Sequence, residues 1–329
     1  MSQLKILFVR LSAFGDVIQT LPALSAVRRD YPRARLHWLV AAKCAELLQD
    51  NPDLDRVHVF SATPGGFLRM GRELRREQFD VAIDFQGLLK SGLLTWLSGA
   101  PRRLGRPPRS CREPLSAFFT NEWVPLRQAH VIHQYLELVK PLGVGDGALK
   151  FSLALPEVDA PGVFRARPVA LHVGGGWESK RYAPEKWGEV ARQITEVLHC
   201  PLVVFWGPGD EERAAAVKRL APRSHLAPRV TYPEMGRLLT HCALLVCVES
   251  GPMHLAGAVG TPVICLVSLT DPRRSGPWDR RSRVILPPPP HQWSTRRTGA
   301  SPANLIPEAQ VVDAVREMLE EMGAGPFPF

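Results

Sequence analysis

Short apolar runs alternate along the chain with longer stretches whose apolar residues recur at helical spacing. In the first half, Lys5–Arg10, Arg35–Val40, Val57–Phe60 and Val81–Asp84 read as strands. Helices read near Val17–Asp30, Ala41–Gln49, Phe67–Glu77, Ser91–Leu97 and His130–Pro141. This alternation predicts a parallel sheet wrapped by helices on both faces. Pro22 is expected to kink or restart the first helix, because proline removes a helical N–H. Leu153–Arg167, punctuated by Pro156 and Pro161, reads as a linker.

The second half repeats the pattern. Strands are predicted at Pro168–Val173, Pro201–Trp206, Ser224–Leu226, Ala243–Val248 and Pro262–Val267, with helices at Pro184–Leu198, Asp210–Leu220, Pro233–Thr240 and Pro252–Val259. Pro272–Asn304, rich in Pro and Arg, is expected to be irregular, with Leu286–Pro290 extended as polyproline. A last helix, Pro307–Met322, carries Val311, Val312, Val315, Met318 and Leu319 on one face. The predicted fold class is α/β, two Rossmann-like domains in tandem facing a central cleft. The domains are 1–155, a linker 156–167, 168–306, and a C-terminal helix and tail 307–329.

Composition fits that picture: 329 residues exceed one ordinary core, and 45% hydrophobic with 22% charged residues is globular. No apolar run is long enough to span a bilayer and Met1–Lys5 has no signal-peptide pattern, so a cytoplasmic protein is expected. The six cysteines are scattered, with no CxxC and no paired His ligands, which reads as buried thiols with neither disulfide nor zinc. The net charge of +9 draws on two arginine clusters, Arg69, Arg72, Arg75, Arg76 and then Arg102, Arg103, Arg106, Arg109, Arg112. Such a surface suits an anionic partner, either a membrane or a substrate with carboxylates or phosphates, and equally a plain solvated face. No nucleic-acid-binding signature is present.

Candidate chemistry gathers at predicted strand ends. Asp16 follows the first strand and one glycine, where open α/β sheets collect ligands, although an acid there also serves as a first-turn helix cap. No GxGxxG follows that strand, which weighs against a dinucleotide site. In the second half, Gly174-Gly175-Gly176 could admit a phosphate beside Lys180, or form a plain loop. Glu249-Ser250-Gly251 opens a helix whose amides suit a diphosphate, and His254 is either a contact or a packed residue. Asp210 and Glu211 could accept ribose hydroxyls or simply favour a helix N-terminus. Together the turns favour a nucleotide-sugar in the second half, with Asp16 and arginines of the first half serving an acidic acceptor.

The segments Arg10-Leu11-Ser12-Ala13-Phe14-Gly15-Asp16-Val17 and Leu21–Leu24 resemble the opening of bacterial lipopolysaccharide heptosyltransferases, members of glycosyltransferase family nine with the GT-B fold. Further resemblance lies in Asp84–Ser91, Arg112–Leu115, Lys180–Trp187, Trp206-Gly207, Gly251 with His254, and Thr270-Asp271-Pro272, in order over about nine-tenths of the chain. The Asp16, Asp84–Ser91 and Arg112–Leu115 segments are most similar to the branch that adds the first heptose to Kdo of lipid A, heptosyltransferase I. Glu249 stands where the family usually has Asp, Met253 where it has a small polar residue, and Ser268-Leu269 where it has Gly-Pro.

The resemblance implies inverting transfer from ADP-L-glycero-D-manno-heptose to Kdo, with no metal and no cofactor. Asp16 would be the general base, and an unperturbed carboxylate, titrating at about 4, is ionised at neutral pH. Donor binding would fall to Gly174, Gly175, Lys180, Asp210 or Glu211, Glu249, Ser250, Gly251 and His254. Acceptor binding would fall to Ser12, Gly15, Lys90, Arg112 and His130. The implied setting is the cytoplasmic face of the inner membrane, with peripheral contact to anionic lipid. A related transferase with another donor or acceptor, or a non-catalytic sugar-nucleotide binder, are the other readings.

Overall fold

Among the described residues the apolar runs pair as parallel strands into two sheets of six strands each. The computed structural model describes residues 3–63, 65–290, 293 and 299–323, and its chain divides into two units, Met1–Ala154 and Leu155–Phe329.

The first unit contains β1 (Lys5–Val9), α1 (Phe14–Asp30), β2 (Arg35–Ala41), β3 (Arg56–Phe60), α2 (Gly66–Glu77), β4 (Val81–Asp84), α3 (Leu89–Leu97), β5 (Arg102–Gly105), β6 (Glu122–Trp123) and α4 (Val131–Val139). Its strand order is β3-β2-β1-β4-β5-β6, so β1 is central and the chain reverses its direction of travel there. Phe8 stacks between Trp38 and Phe85, at ring separations of 5.7 and 5.4 Å. Fully buried strands on both faces explain why these runs are continuously apolar rather than alternating.

The second unit contains β7 (Val169–His172), α5 (Pro184–Glu196), β8 (Leu202–Phe205), α6 (Glu211–Leu220), β9 (His225–Leu226), α7 (Tyr232–Leu239), β10 (Leu244–Val248), α8 (Gly251–Ala258), β11 (Val263–Leu266), α9 (Pro272–Ser275), β12 (Arg283–Ile285) and α10 (Glu308–Glu321). The order β12-β11-β10-β7-β8-β9 repeats the first sheet's plan, with β7 in the place of β1. Val311, Val312, Val315, Met318 and Leu319 bury the apolar face of α10 in this unit's core, beside Trp187 and Ile194 of α5.

Several expectations need correcting. α1 starts at Phe14, so Asp16 is its third residue, and the helix runs unbroken through Pro22. Residues 17–27 are all buried, and that packing outweighs the single N–H that proline removes. Ala42–Leu48 coils as 3-10 helix rather than α-helix. β5, β6 and β12 lie in stretches where no strand was expected, β12 within the supposedly irregular region. These are the short outer strands, two of them opening on arginine, which hides the apolar signal. The proline run bends at residues 288–290. The expected tail at 324–329 and part of the Pro/Arg-rich region, 291–292 and 294–298, lie outside the described residues.

Candidate functional site

In a parallel sheet every strand delivers its following loop to the same edge, and each unit gathers polar groups there. In the first unit the loop after β1 carries Ser12, Gly15 and Asp16. Asp16 Oδ2 accepts the Ala13 N–H at 3.0 Å, so the acid does cap its helix. The same oxygen lies 2.6 Å from Arg10 Nη2, and the side chain remains 39% exposed. Arg10 itself is buried. Its Nη1 donates to the Phe85 carbonyl at 2.8 Å, and its guanidinium lies 5.5 Å from the centre of the Tyr135 ring. Burial opposes its charge, but Asp16 and the Tyr135 hydroxyl outweigh that and raise its pKa above the usual arginine value.

Arg106, from the loop after β5, is buried against the same two groups. It donates to the Phe85 carbonyl at 3.2 Å and lies 5.3 Å from the Tyr135 ring centre. Among the described residues neither arginine's Nε has a hydrogen-bond partner. The basic cluster read as a surface feature therefore splits. Arg106 is internal, Arg102 pairs with Glu122 at 2.8 Å, and Arg103 donates to Ala100 and Phe119 carbonyls, while Arg109 and Arg112 stay exposed.

The loop after β4 is organised by Asp84, which is buried and accepts from Gln86 N, Gly87 N and Ser91 Oγ at 2.8, 3.2 and 3.0 Å. Burial raises its pKa against these donors and Arg106. Gln86 Oε1 in turn accepts the Leu11 N–H at 2.8 Å, tying this loop to the one bearing Asp16. Lys90 is exposed on the first turn of α3, and Leu89 N donates to Glu113 Oε2 at 2.6 Å, which joins that turn to the Arg112 loop. His130 is the N-cap of α4, its Nδ1 accepting from Ile132 N at 3.3 Å.

In the second unit, Gly174 follows β7 at the sheet's central strand. A Cβ there would lie 2.3 Å from Asp210 Oδ2 and 2.8 Å from His172 Cε1, so the close approach demands glycine. Asp210, after β8, is buried, and among the described residues its Oδ1 has no hydrogen bond, with Arg181 at 3.7 Å and Arg213 at 3.9 Å. Burial raises its pKa, and the two arginines counter it. Glu211 is exposed and accepts the Gly209 N–H at 2.8 Å. Arg181 also donates to the Gly175 carbonyl at 3.3 Å.

Lys180 Nζ lies 3.4 Å from Glu249 Oε2 and 5.2 Å from the Trp177 ring centre. Glu249 is a bracket. Its two oxygens accept from Ser268 Oγ at 3.1 Å, Leu269 N at 3.3 Å, Thr270 N at 3.0 Å and Thr270 Oγ1 at 2.7 Å, fixing the loop after β11. Ser250 turns its hydroxyl back to the Val248 carbonyl at 3.1 Å, leaving the first N–H groups of α8 without a side-chain cap. His254 is half-buried on that helix, and Met253 is core.

The structure thus brings Gly174, Gly175 and Asp210 together, and Lys180 with Glu249, at one edge of one sheet. It brings Asp16 to Arg10, a residue that the sequence places at a strand end and at the head of the resembling segment but gives no role. Arg106, Arg181, Arg213 and Tyr135 were also missed as partners. Arg10 alone had a visible signal, a cation ending an apolar strand directly before the Asp16 loop. Chemically, the first unit offers an oriented, part-exposed carboxylate. The second offers a cation, a glycine approach and uncapped helix amides, the features that receive phosphates.

The family model for glycosyltransferase family 9 (heptosyltransferase) matches residues 67–301, more than two-thirds of the chain. The chain is 29% identical over 303 residues to lipopolysaccharide heptosyltransferase 1 of Pseudomonas aeruginosa, covering 86% of this chain and 83% of that one. It is 25% identical to lipopolysaccharide heptosyltransferase 3 of Escherichia coli, over 94% and 98% of the two chains. The solved E. coli heptosyltransferase WaaC with ADP superposes with a TM-score of 0.80 at 22% identity, covering 96% of this chain and 100% of that one, which places the fold in the GT-B class. The chain belongs to glycosyltransferase family 9, the heptosyltransferase family, and is a glycosyltransferase.

Proposed function

We propose that this transferase moves heptose from ADP-L-glycero-D-manno-heptose to Kdo of the lipopolysaccharide inner core with inversion, without a metal on the diphosphate. The observation that carries the reading is Asp16, a part-exposed carboxylate at the carboxyl end of a central strand, oriented by Arg10 at 2.6 Å. Asp16 takes the proton of the attacking acceptor hydroxyl. Exposed Lys90 and Arg112, with Ser12, Gly15 and His130, serve the anionic acceptor. Lys180 and the amides opening α8 take up charge that accumulates on the leaving diphosphate. Gly174 and Gly175 let backbone approach the donor. The unbonded Oδ1 favours Asp210 over Glu211 for the ribose hydroxyls. Glu249 acts on the donor through Lys180 and the Ser268–Thr270 loop that it holds, together with Ser250, Gly251 and His254 of the same turn. ADP is the ligand of the related WaaC structure, which supports the choice of nucleotide.

Transfer onto a heptosylated core is the second reading, favoured by the comparable similarity to heptosyltransferases 1 and 3. A donor panel of ADP-, UDP- and GDP-sugars against Kdo-lipid A and heptosylated core, read by product mass, separates the two. Asp16→Asn is expected to lose about 10²–10⁴ in turnover while still binding ADP. Near-normal turnover in that variant rejects the base. We further propose peripheral contact with the cytoplasmic face of the inner membrane. Among the described residues no helix is long and apolar enough to cross a membrane. Leu115 and Phe118, 61% and 74% exposed beside Arg112, support a surface contact.

A further inference from the structure

His37 and His58 stand on one face of the first sheet. Parallel pairing sets Leu39 opposite His58, so His37 lies diagonal to it on the adjacent strand. The two rings meet, with His37 Nδ1 3.1 Å from His58 Nε2. Both histidines are almost wholly inaccessible, and Phe79 closes edge-on against them at 5.1 and 6.2 Å. Helix α2 brings two carboxylates to the same place, one turn apart. Glu73 Oε1 lies 2.6 Å from His58 Nδ1, and a Glu77 oxygen lies within 4.8 Å of both imidazoles.

The proton positions follow from these contacts. Glu73 fixes the N–H of His58 on Nδ1, so Nε2 turns a lone pair toward His37. A proton on His37 Nδ1 fills the gap when no cation is present. With His37 in its other tautomer, two lone pairs face one point instead. Neutral imidazole is the form that binds metals, and the Glu73 contact at Nδ1 leaves Nε2 of His58 as the nitrogen able to do so. A carboxylate on the far nitrogen of a ligating histidine is the usual device for holding its tautomer.

We propose that His37 Nδ1, His58 Nε2 and the Glu77 carboxylate form a site for a divalent transition cation of the zinc class, with Glu73 orienting His58. Bonds of about 2.1 Å in a tetrahedral site put ligand atoms about 3.4 Å apart, close to the separation of the two nitrogens. Glu77 has to close by at most about 1.4 Å to reach that spacing, which the last residue of a helix with a part-exposed side chain can do. In doing so it gives up its ion pair with Arg56. That guanidinium lies 3.6 Å from Glu73 and keeps a carboxylate partner. The histidines are the third residues of β2 and β3, in the body of the sheet, and not in the loops where Asp16 and Arg112 sit. The cation would therefore clamp β2, β3 and α2 together and take no part in the sugar transfer.

The test uses the full chain without a polyhistidine tag, stripped with chelator and titrated with Zn²⁺ by calorimetry and with Co²⁺ by visible absorption. One tight equivalent of Zn²⁺, a tetrahedral Co²⁺ spectrum and a raised melting temperature are expected. His58→Gln and Glu77→Gln should each weaken binding by about tenfold or more, and Glu73→Gln by a similar factor through the ring it orients. Glu77→Gln alters only the half-buried helix end and decides the matter if the histidine variant does not fold. No uptake at micromolar Zn²⁺, or unchanged affinity in Glu77→Gln, overturns the site.

Discussion

His172 and Gly174 show what burial imposes on single residues at the edge of the second sheet. Burial of the His172 ring depresses its pKa to about 4, against a Gly174 backbone contact that favours the proton. The unfolded chain binds that proton near 6.5, so the folded state is the poorer proton acceptor. The neutral ring's contribution is therefore complete above a pH of about 6.5. It is lost as pH falls toward about 4, at up to roughly 1.4 kcal/mol per pH unit. Urea unfolding of wild type and His172→Gln between about pH 7 and about pH 5 should show the variant with the shallower slope, and equal slopes refute the assignment. At Gly174 the clashing neighbour is Asp210, itself buried, so Gly174→Ala has no cheap relaxation. A loss of about 1–3 kcal/mol in stability is expected, together with about tenfold weaker ADP binding by calorimetry. ADP binding equal to wild type would remove this turn from the donor site. The sequence motif exposes Gly174, Lys180 and Asp16, because turns and charges at strand ends are local features. It does not expose Arg10 meeting Arg106 over Tyr135, or Glu249 closing the Ser268–Thr270 loop, since those contacts join residues remote in sequence.

At the scale of elements, helix–helix contact is set by small residues as much as by apolar ones. α5 and α6 meet where Gly188 faces Leu220, and a Cβ at 188 would lie 2.3 Å from Leu220 Cδ1 and 2.6 Å from its Cβ. The Cδ1 can swing away, but the Cβ moves only with its backbone. Gly188→Ala should therefore push α6 outward and cost about 1–3 kcal/mol, seen as a lower urea midpoint. The double variant Gly188→Ala with Leu220→Ala should give back only part of that, since the Cβ remains. A single variant as stable as wild type would show that α6 yields freely. The same scale explains what periodicity conveys about the fold. β1, β4, β7 and β10 are buried on both faces and read plainly as apolar runs. β6 spans two residues and carries no period, β9, equally short, falls within the predicted strand Ser224–Leu226, and β12 is fixed by pairing Arg283, Val284 and Ile285 with Ile264, Cys265 and Leu266 of β11. Pro22 misleads as a break because a local rule about N–H groups says nothing of the burial that keeps α1 continuous through it.

At the scale of the whole molecule, burial and pairing decide where charge can act. The net charge of +9 is attractive to an anionic surface, yet Arg10 and Arg106 are buried and Arg102 is paired, so they contribute little to contact. What remains near the β5–β6 end of the first unit is exposed Arg109, in the 3-10 turn Pro108–Ser110, and exposed Arg112, just before the 3-10 segment Pro114–Phe119 that carries Leu115 and Phe118. Exposed Trp123 donates its indole N–H to the Ala117 carbonyl at 3.1 Å, which brings a second aromatic beside that segment. Cations with part-inserted aromatic side chains suit the headgroup region of an anionic bilayer, each basic residue contributing about 1 kcal/mol near the surface. Co-sedimentation should therefore detect binding to vesicles containing phosphatidylglycerol and none to vesicles of phosphatidylcholine alone. Raising the salt from about 0.1 M, where the Debye length is about 10 Å, to about 1 M should release most of the bound protein. Phe118→Asp should weaken retention at low salt by removing an inserting group and adding a repelled charge, while leaving ADP affinity as in wild type. Retention of that variant at the wild-type level would exclude this segment as the contact, and equal binding to neutral vesicles would show that charge does not direct it.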